Sequence, residues 1–283
     1  MESPGGRRMP ALPKGWYPGT KEEIVNSLKS WVDGAYPKTA VSVISPHAGW
    51  RYSGRLAAKA VSSLKESQTI AVFGGHLGYA DTVLCARDSV FQTPAGDLET
   101  DRELLAALES ELRDSGYGGL KEDLRTDNCV EVLRPMLPIL HPGAKILWLR
   151  SPPRPVAKEL GAALGRAAAV LGRGVSCIGS TDLTHYGPAY GFTPQGSGSK
   201  AVRWARETND ASFISALLDM NCESALSSGV RRGSACSPGA AVSALSFALE
   251  RGATSARLIE YTTSLEVADS PSFVGYAALA FEP

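Results

Sequence analysis

Three of the four histidines in this 283-residue chain stand where a predicted β-strand gives way to a loop. They are His47, His76 and His185, and their loops carry small or polar residues that allow a tight turn. In an open α/β sheet the carboxyl ends of the strands line one crevice, so imidazoles that are distant in sequence can converge there. Their convergence predicts a metal site or an acid/base site. His141 instead precedes a predicted strand, at the opposite edge of the sheet, and is expected to be structural.

Cys236 stands directly before a predicted apolar helix, in which Pro238 suits the first turn. The start of a helix supplies free backbone N–H groups and partial positive charge, which favour thiolate over thiol. Two imidazoles and one thiolate would form a three-ligand metal site with room for substrate or water. The alternative interpretation of Cys236 is a small residue in a tight loop. The other cysteines fall in apolar stretches and are predicted to be core residues: Cys85, Cys129, Cys177 and Cys222.

Asp182 and His185 are three residues apart, immediately beyond a predicted strand. If the segment turns helically, the two side chains share a face and the carboxylate can orient the imidazole. Such a pair suits general acid/base catalysis. In the alternative interpretation, Asp182 caps a short turn and His185 only satisfies a local hydrogen bond.

The segments that must position these residues alternate between helical and extended patterns. Thr20 and Glu23 form a capping box ahead of apolar residues at helical spacing. The alternation predicts a layered α/β/α domain whose sheet is largely parallel or mixed. Further helices are predicted over residues 54–64, 101–112, 130–140, 156–171, 201–218 and 238–250. Strands are predicted over residues 40–45, 69–73, 145–149, 175–179, 256–263 and 274–281, with a hairpin over residues 81–91.

The composition excludes several classes of partner. The formal net charge is zero and no long run of one sign occurs, so neither nucleic acid nor an anionic membrane is expected as a partner. Five cysteines without a CxxC pair argue against a disulfide framework or a zinc knuckle. No stretch approaches the ~20 apolar residues of a membrane span, and the N-terminus has no apolar signal core. We therefore expect a cytoplasmic protein. No break in the pattern is evident along the chain, so we expect a flexible segment over residues 1–13 and a single α/β domain over residues 14–283.

Residues 46–54, Pro-His-Ala-Gly-Trp-Arg-Tyr-Ser-Gly, resemble the PHAGYxYSG signature of the Memo family. That family is related in fold to the class III (LigB-type) extradiol dioxygenases. Further similar blocks follow in family order, covering nearly the whole chain: residues 15–18, 93–98 with Asp101, 180–187, the loop around Cys236, and residues 269–278. The resemblance implies a three-layer α/β/α sandwich with a mixed, largely parallel central sheet.

The resemblance also implies a ligand set. In Memo-like proteins the residues that match His47, His76 and Cys236 form a metal site, and those that match Asp182 and His185 lie beside it. The dioxygenase relatives hold ferrous iron with a carboxylate as the third ligand. A thiolate in that place softens the site and admits copper as well as iron. Fe(II) is therefore the first expectation for the cofactor, and copper is the second.

Two positions depart from the family pattern. Family members usually have Gly-Pro-(Asn/Ser)-His after the second strand, whereas this chain has the shorter Gly74-Gly75-His76. Asn128 stands where the family usually has a histidine, while the nearby Glu131 is retained. We therefore expect the pocket to be present with an altered lining.

The expected function is an iron-dependent redox or oxygenase-type reaction on a small molecule, in which His185 moves a proton and Asp182 orients His185 or the substrate. Five aromatic residues are candidates for the pocket walls: Trp16, Tyr17, Trp50, Tyr52 and Tyr186. The alternative role for each of them is packing in the core. Resemblance to bacterial and archaeal members implies a partner protein from a radical SAM system.

Two other classes of function stay open. One is a metal-free enzyme in which Cys236 is the nucleophile and His185 is its base. The other is a non-catalytic signalling protein that binds a metal or a peptide in the same pocket.

Overall fold

The computed structural model describes residues 5–32 and 37–283. Its strands are β1 (Arg7–Arg8), β2 (Ser42–Ser45), β3 (Thr69–Gly74), β4 (Leu84–Cys85), β5 (Val90–Phe91), β6 (Leu98–Glu99), β7 (Lys121–Glu122), β8 (Lys145–Arg150), β9 (Val175–Ser180), β10 (His185–Tyr186), β11 (Ser255–Thr263) and β12 (Phe273–Glu282). Its α-helices are α1 (Lys21–Trp31), α2 (Arg55–Ser62), α3 (Arg102–Asp114), α4 (Asn128–Glu131), α5 (Leu137–Leu140), α6 (Val156–Val170), α7 (Ser199–Trp204), α8 (Ala211–Leu218), α9 (Cys222–Arg232) and α10 (Pro238–Glu250).

The central sheet has the strand order β10-β12-β2-β9-β3-β8-β4-β7, and β11 pairs with β12 as well. The four inner strands β2, β9, β3 and β8 are parallel to one another. The strand β12 is antiparallel to β2, and β4 is antiparallel to β8. The sheet is therefore mixed with a parallel centre, and the carboxyl ends of β2, β9 and β3 lie at one edge.

Helices cover both faces of this sheet, which confirms the predicted three-layer α/β/α sandwich. On one face, Phe73 and Leu149 join a buried cluster with residues of α3, α6, α8, α9 and α10. On the other face, Val72 and Trp148 join a second buried cluster with residues of α1, α2, α4 and α5. Successive strand residues alternate between the two clusters because side chains alternate across a strand.

The helix α10, whose first turn follows Cys236, is held closely against α6. A Cβ added to Gly161 of α6 would collide with the backbone carbonyl of Ser243 in α10. Only glycine permits this close approach, so the contact fixes where α10 begins relative to the sheet. Pro238 occupies the first turn of α10, as its sequence position predicts.

One prediction of local structure is wrong, and one helix was not predicted. The hairpin over residues 81–91 does not form, because β4 pairs with β8 and β7, whereas β5 pairs with β1 and β6. An extended pattern gives no information about which strand will be its partner. The predicted helix over residues 201–218 forms as a continuous helical segment that contains a π-helical turn at Ala205–Asp210. The helix α9 was not predicted, although Asn221 caps its start and Gly233 ends it in a left-handed conformation.

The N-terminal segment contributes a short strand. Arg7–Arg8 pairs in parallel with Val90–Phe91 in a small separate sheet. Residues 1–4 of the segment predicted to be flexible lie outside the described residues, and its flexibility and the single domain over residues 14–283 stay predictions. Within the described ranges, the helices are too short or too polar to cross a membrane.

Candidate metal centre

The side chains of His47, His76 and Cys236 meet at the carboxyl edge of the sheet. His47 Nε2 lies 3.2 Å from His76 Nε2 and 3.3 Å from Cys236 Sγ. All three donor atoms lie within 4.8 Å of one another. Nitrogen and sulfur ligands about 2.0–2.3 Å from one ion are themselves roughly 3–3.6 Å apart. The donor set therefore fits a metal ion in both chemistry and spacing.

Each ligand is placed by the end of a regular element. His47 follows β2 and His76 follows β3, and these strands are parallel to β9, which lies between them. Cys236 lies two residues before α10. The expectation that strand-end histidines converge is thus met for His47 and His76, because their strands point in the same direction.

His47 is buried, and its other polar atoms are engaged. Its Nδ1 is hydrogen-bonded to Ser180 Oγ at 2.9 Å, and its backbone N–H donates to Asp182 Oδ1 at 2.7 Å. Asn128 Nδ2 donates to the His47 carbonyl at 3.1 Å. Ser180 therefore orients the ring, Asp182 and Asn128 hold the backbone of His47, and Nε2 is left for the centre. Asn128 supports the loop of His47 through this bond.

His76 is held from its other side by a carboxylate. Its Nδ1 lies 3.0 Å from Asp127 Oδ1, and Asp127 Oδ2 forms an ion pair with Arg150 at 2.9 Å. Burial lowers the pKa of His76, but hydrogen bonds with Asp127 and Cys236 outweigh burial and raise it to about 9. Surroundings that stabilise positive charge on this imidazole also suit a cation bound to it.

Asp127 was not predicted from the sequence. Its side chain caps α4 by accepting the Cys129 N–H at 2.9 Å, and a cap preference is the one signal that marks it. His76, Asp127 and Cys129 also lie close enough to form a second ligand group. Burial and the neighbouring Asp127 raise the pKa of the Cys129 thiol well above its ordinary value. A thiol that stays protonated is a poor ligand, so we interpret Asp127 as the outer partner of His76.

We expect Asp127→Asn to weaken metal binding by about 10- to 100-fold, because outer carboxylates orient a ligating histidine and raise its basicity. Metal titration of the purified variant measures the change. The exposed Asp219, changed to Asn, is the matched control and should leave the affinity as it is. Equal metal affinities for the two variants would show that Asp127 does not contribute to metal binding.

Cys236 is locked to the loop after β9. Its Sγ accepts the Asp182 N–H at 3.3 Å, and its own N–H donates to the Asp182 carbonyl at 3.1 Å. These reciprocal bonds hold the thiol beside His47. Cys236 is partly accessible. The other four cysteines are buried, as predicted: Cys85, Cys129, Cys177 and Cys222.

Asp182 and His185 do not form the helical pair that their spacing suggested. His185 begins β10, which pairs with β12, so the chain is extended there. Asp182 directs its carboxylate to His47, whose Nε2 lies 3.9 Å from Asp182 Oδ2. His185 Nδ1 is hydrogen-bonded to the Leu183 carbonyl at 3.1 Å. Burial lowers the pKa of His185, and the charge of Asp182 opposes this in part.

A pocket of about 660 Å³ opens beside the centre and is lined by both Asp182 and His185. Trp16 and Tyr52, predicted as pocket walls, line it as well. Tyr190 and Tyr276 also line it and were not predicted. Tyr190 lies edge-on to His185 with ring centroids 4.9 Å apart. Aromatic residues are common in apolar strands and loops. Residue type alone therefore could not tell which aromatic side chains line the pocket and which pack in the core.

The other predicted aromatic walls lie elsewhere. Trp50 is buried and donates from Nε1 to the Val132 carbonyl at 2.9 Å. Tyr186 is buried and stacks on Phe273 with ring centroids 5.2 Å apart. The hydroxyl of Tyr17 donates to the carboxylate of Glu131 at 2.9 Å. These three residues serve packing and hydrogen bonding away from the pocket lining.

His141 occupies the opposite end of the sheet, as expected for a structural residue. It is buried, and its Nε2 is hydrogen-bonded to the Val61 carbonyl at 2.9 Å. Burial lowers the pKa of His141 and keeps the ring neutral. It therefore provides a natural reference for substitutions at the centre.

The chain is similar to known proteins along almost its whole length. Residues 8–280 match the sequence model of the Memo family, described as Memo-like protein. A MEMO1 family protein of Methanococcoides burtonii is 32% identical over 279 residues, covering 96% of this chain and 98% of the relative. A MEMO1 family protein of Methanosarcina barkeri is 31% identical and covers 97% of this chain and 100% of the relative. One of Archaeoglobus fulgidus is 29% identical, with 97% and 99% covered.

Proposed function

This chain belongs to the Memo-like protein family, and we propose that it is a cytoplasmic non-haem metal enzyme that carries out iron-dependent redox or oxygenase-type chemistry on a small molecule. The observation that carries the proposal is the meeting of two imidazole nitrogens and one sulfur within 4.8 Å. His47, His76 and Cys236 would hold the metal. This mixed nitrogen and sulfur set accepts iron, with copper as the alternative.

Bound iron would supply redox chemistry and Lewis acidity at the edge of the pocket. The protein's own part is to bind the substrate between aromatic walls and to move a proton. His185 suits the second task because burial lowers its pKa and keeps it neutral, so that it can accept a proton. Its Nδ1 is engaged by the Leu183 carbonyl, which leaves Nε2 for the transfer. Asp182 holds the His47 loop and adds negative charge near His185.

Metal analysis of protein purified without oxygen tests the proposal. We expect about one iron per chain and an absorption band from thiolate-to-metal charge transfer, which Cys236→Ser should abolish. Copper with the same band would change the identity of the cofactor but keep the ligand set. Protein that is free of metal after anaerobic purification, and binds none on addition, would contradict the proposal.

One contact supports a second candidate, a metal-free cysteine enzyme. Cys236 Sγ lies 3.3 Å from His47 Nε2, which is a distance suited to a thiol and its base. This geometry favours His47 as the base, in place of the His185 that the sequence suggested. Alkylation of Cys236 would then abolish activity, while a chelator would leave activity unchanged. The iron enzyme would lose activity under both treatments.

Two further proposals rest on the family resemblance alone. One is a non-catalytic role in binding a metal or a peptide for signalling, for which tight partner binding without turnover is the expected result. The other is a partner protein from a radical SAM system, which co-purification with a tagged copy of this chain would test.

A further inference from the structure

Glu131 is buried in α4 and holds the N-terminal part of the chain, residues 7–17, which we call the strap. Its Oε1 accepts the Ala11 N–H at 2.7 Å, the Leu12 N–H at 2.8 Å and the Tyr17 hydroxyl at 2.9 Å. Its Oε2 lies 3.3 Å from Nη2 of the buried Arg134. Hydrogen bonds to a charged acceptor are stronger than those between neutral groups. Glu131 is therefore the main polar anchor in the middle of the strap.

The beginning of the strap is attached separately. Arg8 donates from Nε to Asp88 Oδ2 at 2.8 Å, and its guanidinium lies 4.7 Å from the ring centroid of Trp148. Arg7–Arg8 also pairs with Val90–Phe91. Loss of the Glu131 anchor would therefore loosen the strap between Arg8 and Tyr17 without releasing its first residues.

The end of the strap is a wall of the site pocket. Lys14, Gly15 and Trp16 all line the pocket beside Asp182 and His185. The Trp16 carbonyl accepts the Trp50 N–H at 2.8 Å. A Cβ on Gly49 would lie 3.5 Å from the same carbonyl oxygen, so the strap lies directly over the loop that carries His47.

The helix α4 connects this anchor to the metal centre. At its start, Asp127 supports His76 and Asn128 supports His47, while Glu131 at its end holds the strap. We propose that Glu131 is a positioning residue that fixes the strap as a removable pocket wall, and so determines how large a molecule can reach Cys236. This inference rests on the proposed function in one respect: the pocket is taken to be the site where a substrate binds. Access to Cys236 itself can be measured whether or not a metal binds.

Tyr17→Phe and Glu131→Gln test this inference in the full-length chain after chelator treatment. Each protein is reacted with a small thiol reagent, iodoacetamide, and with a bulky maleimide, and modification of Cys236 is followed by mass spectrometry. Trypsin cleavage after Lys14 reports release of the strap. Loss of one hydrogen bond to a charged acceptor should raise cleavage and the maleimide rate by about tenfold or more. The iodoacetamide rate should change much less, because Cys236 is already partly accessible with the strap in place.

Tyr117→Phe, which changes an exposed tyrosine after α3, is the matched control and should behave as the unchanged protein. A general loss of stability would raise both thiol rates together and lower the midpoint of thermal unfolding. If Glu131→Gln does not fold, Tyr17→Phe alone decides the outcome. Equal maleimide rates and equal cleavage for Tyr17→Phe and Tyr117→Phe would overturn the inference. Metal content, measured separately on the same proteins, tests the proposed function and not the strap.

Discussion

His47→Ala, His76→Ala and Cys236→Ser should each remove most of the bound metal, as measured by metal content after purification without oxygen. Each change deletes one of three donor atoms that lie within 4.8 Å of one another. The loss of affinity should exceed the about 10- to 100-fold effect of removing an outer partner. Ser180 and Asp127 are already hydrogen-bonded to the rings of His47 and His76, so they are poorly placed to replace a lost donor.

His141→Ala is the control for this series. It also removes a buried imidazole and one hydrogen bond to the Val61 carbonyl, so it should lower stability. Its metal content should stay at the level of the unchanged protein, because His141 lies at the opposite end of the sheet. The same metal content in all four variants would mean that these side chains do not form a metal site.

His185→Gln should keep its metal and lose turnover by about 10²- to 10⁴-fold, the usual contribution of a positioned general base. The amide of glutamine can still donate a hydrogen bond but cannot take up a proton at neutral pH. The measurement is metal content together with the turnover number, once a substrate or a redox assay is established. Loss of metal from this variant would make His185 a ligand and refute the division of roles.

Asp182→Asn should shift the pH dependence of the same reaction. A general base works while it is neutral, so activity falls as the pH drops through its pKa. The charge of Asp182 raises the pKa of His185. Removal of that charge should lower the pKa further and move the acid limb of the profile to lower pH. A profile that stays in place, with metal still bound, would show that the two groups are not coupled.

The sequence was most informative where a periodic pattern met a chemically distinctive residue. His47 and His76 each follow a short run of apolar residues, and parallel strands bring such ends to one edge whatever the loops do. Cys236 was marked by Pro238, because that proline indicates the start of a helix. These patterns left three strand-end histidines as candidates, and the family resemblance then indicated His47 and His76, together with Cys236, as the ligand set.

Other parts of the site depend on distances that the sequence does not encode locally. Asp127 supports His76 across a separation of 51 residues. Residue type alone could not distinguish Asp127 from the many other carboxylates of the chain as the partner of His76. Trp50 and Tyr52 are two residues apart, yet one packs in the core and the other lines the pocket. The helical turn expected between Asp182 and His185 was replaced by pairing with β12, a tertiary contact that outweighs local spacing.

The distance along the chain between the ligands has a consequence for biosynthesis. His47 and Cys236 are 189 residues apart, and β2, which carries His47, pairs with β12 at the end of the chain. Such long-range contacts form late, because distant segments must be made before they can meet. A ribosome-bound chain that stops before Cys236 lacks the sulfur ligand altogether. If the three residues bind a metal, full-affinity loading must therefore follow synthesis of the part of the chain that contains Cys236 and β12.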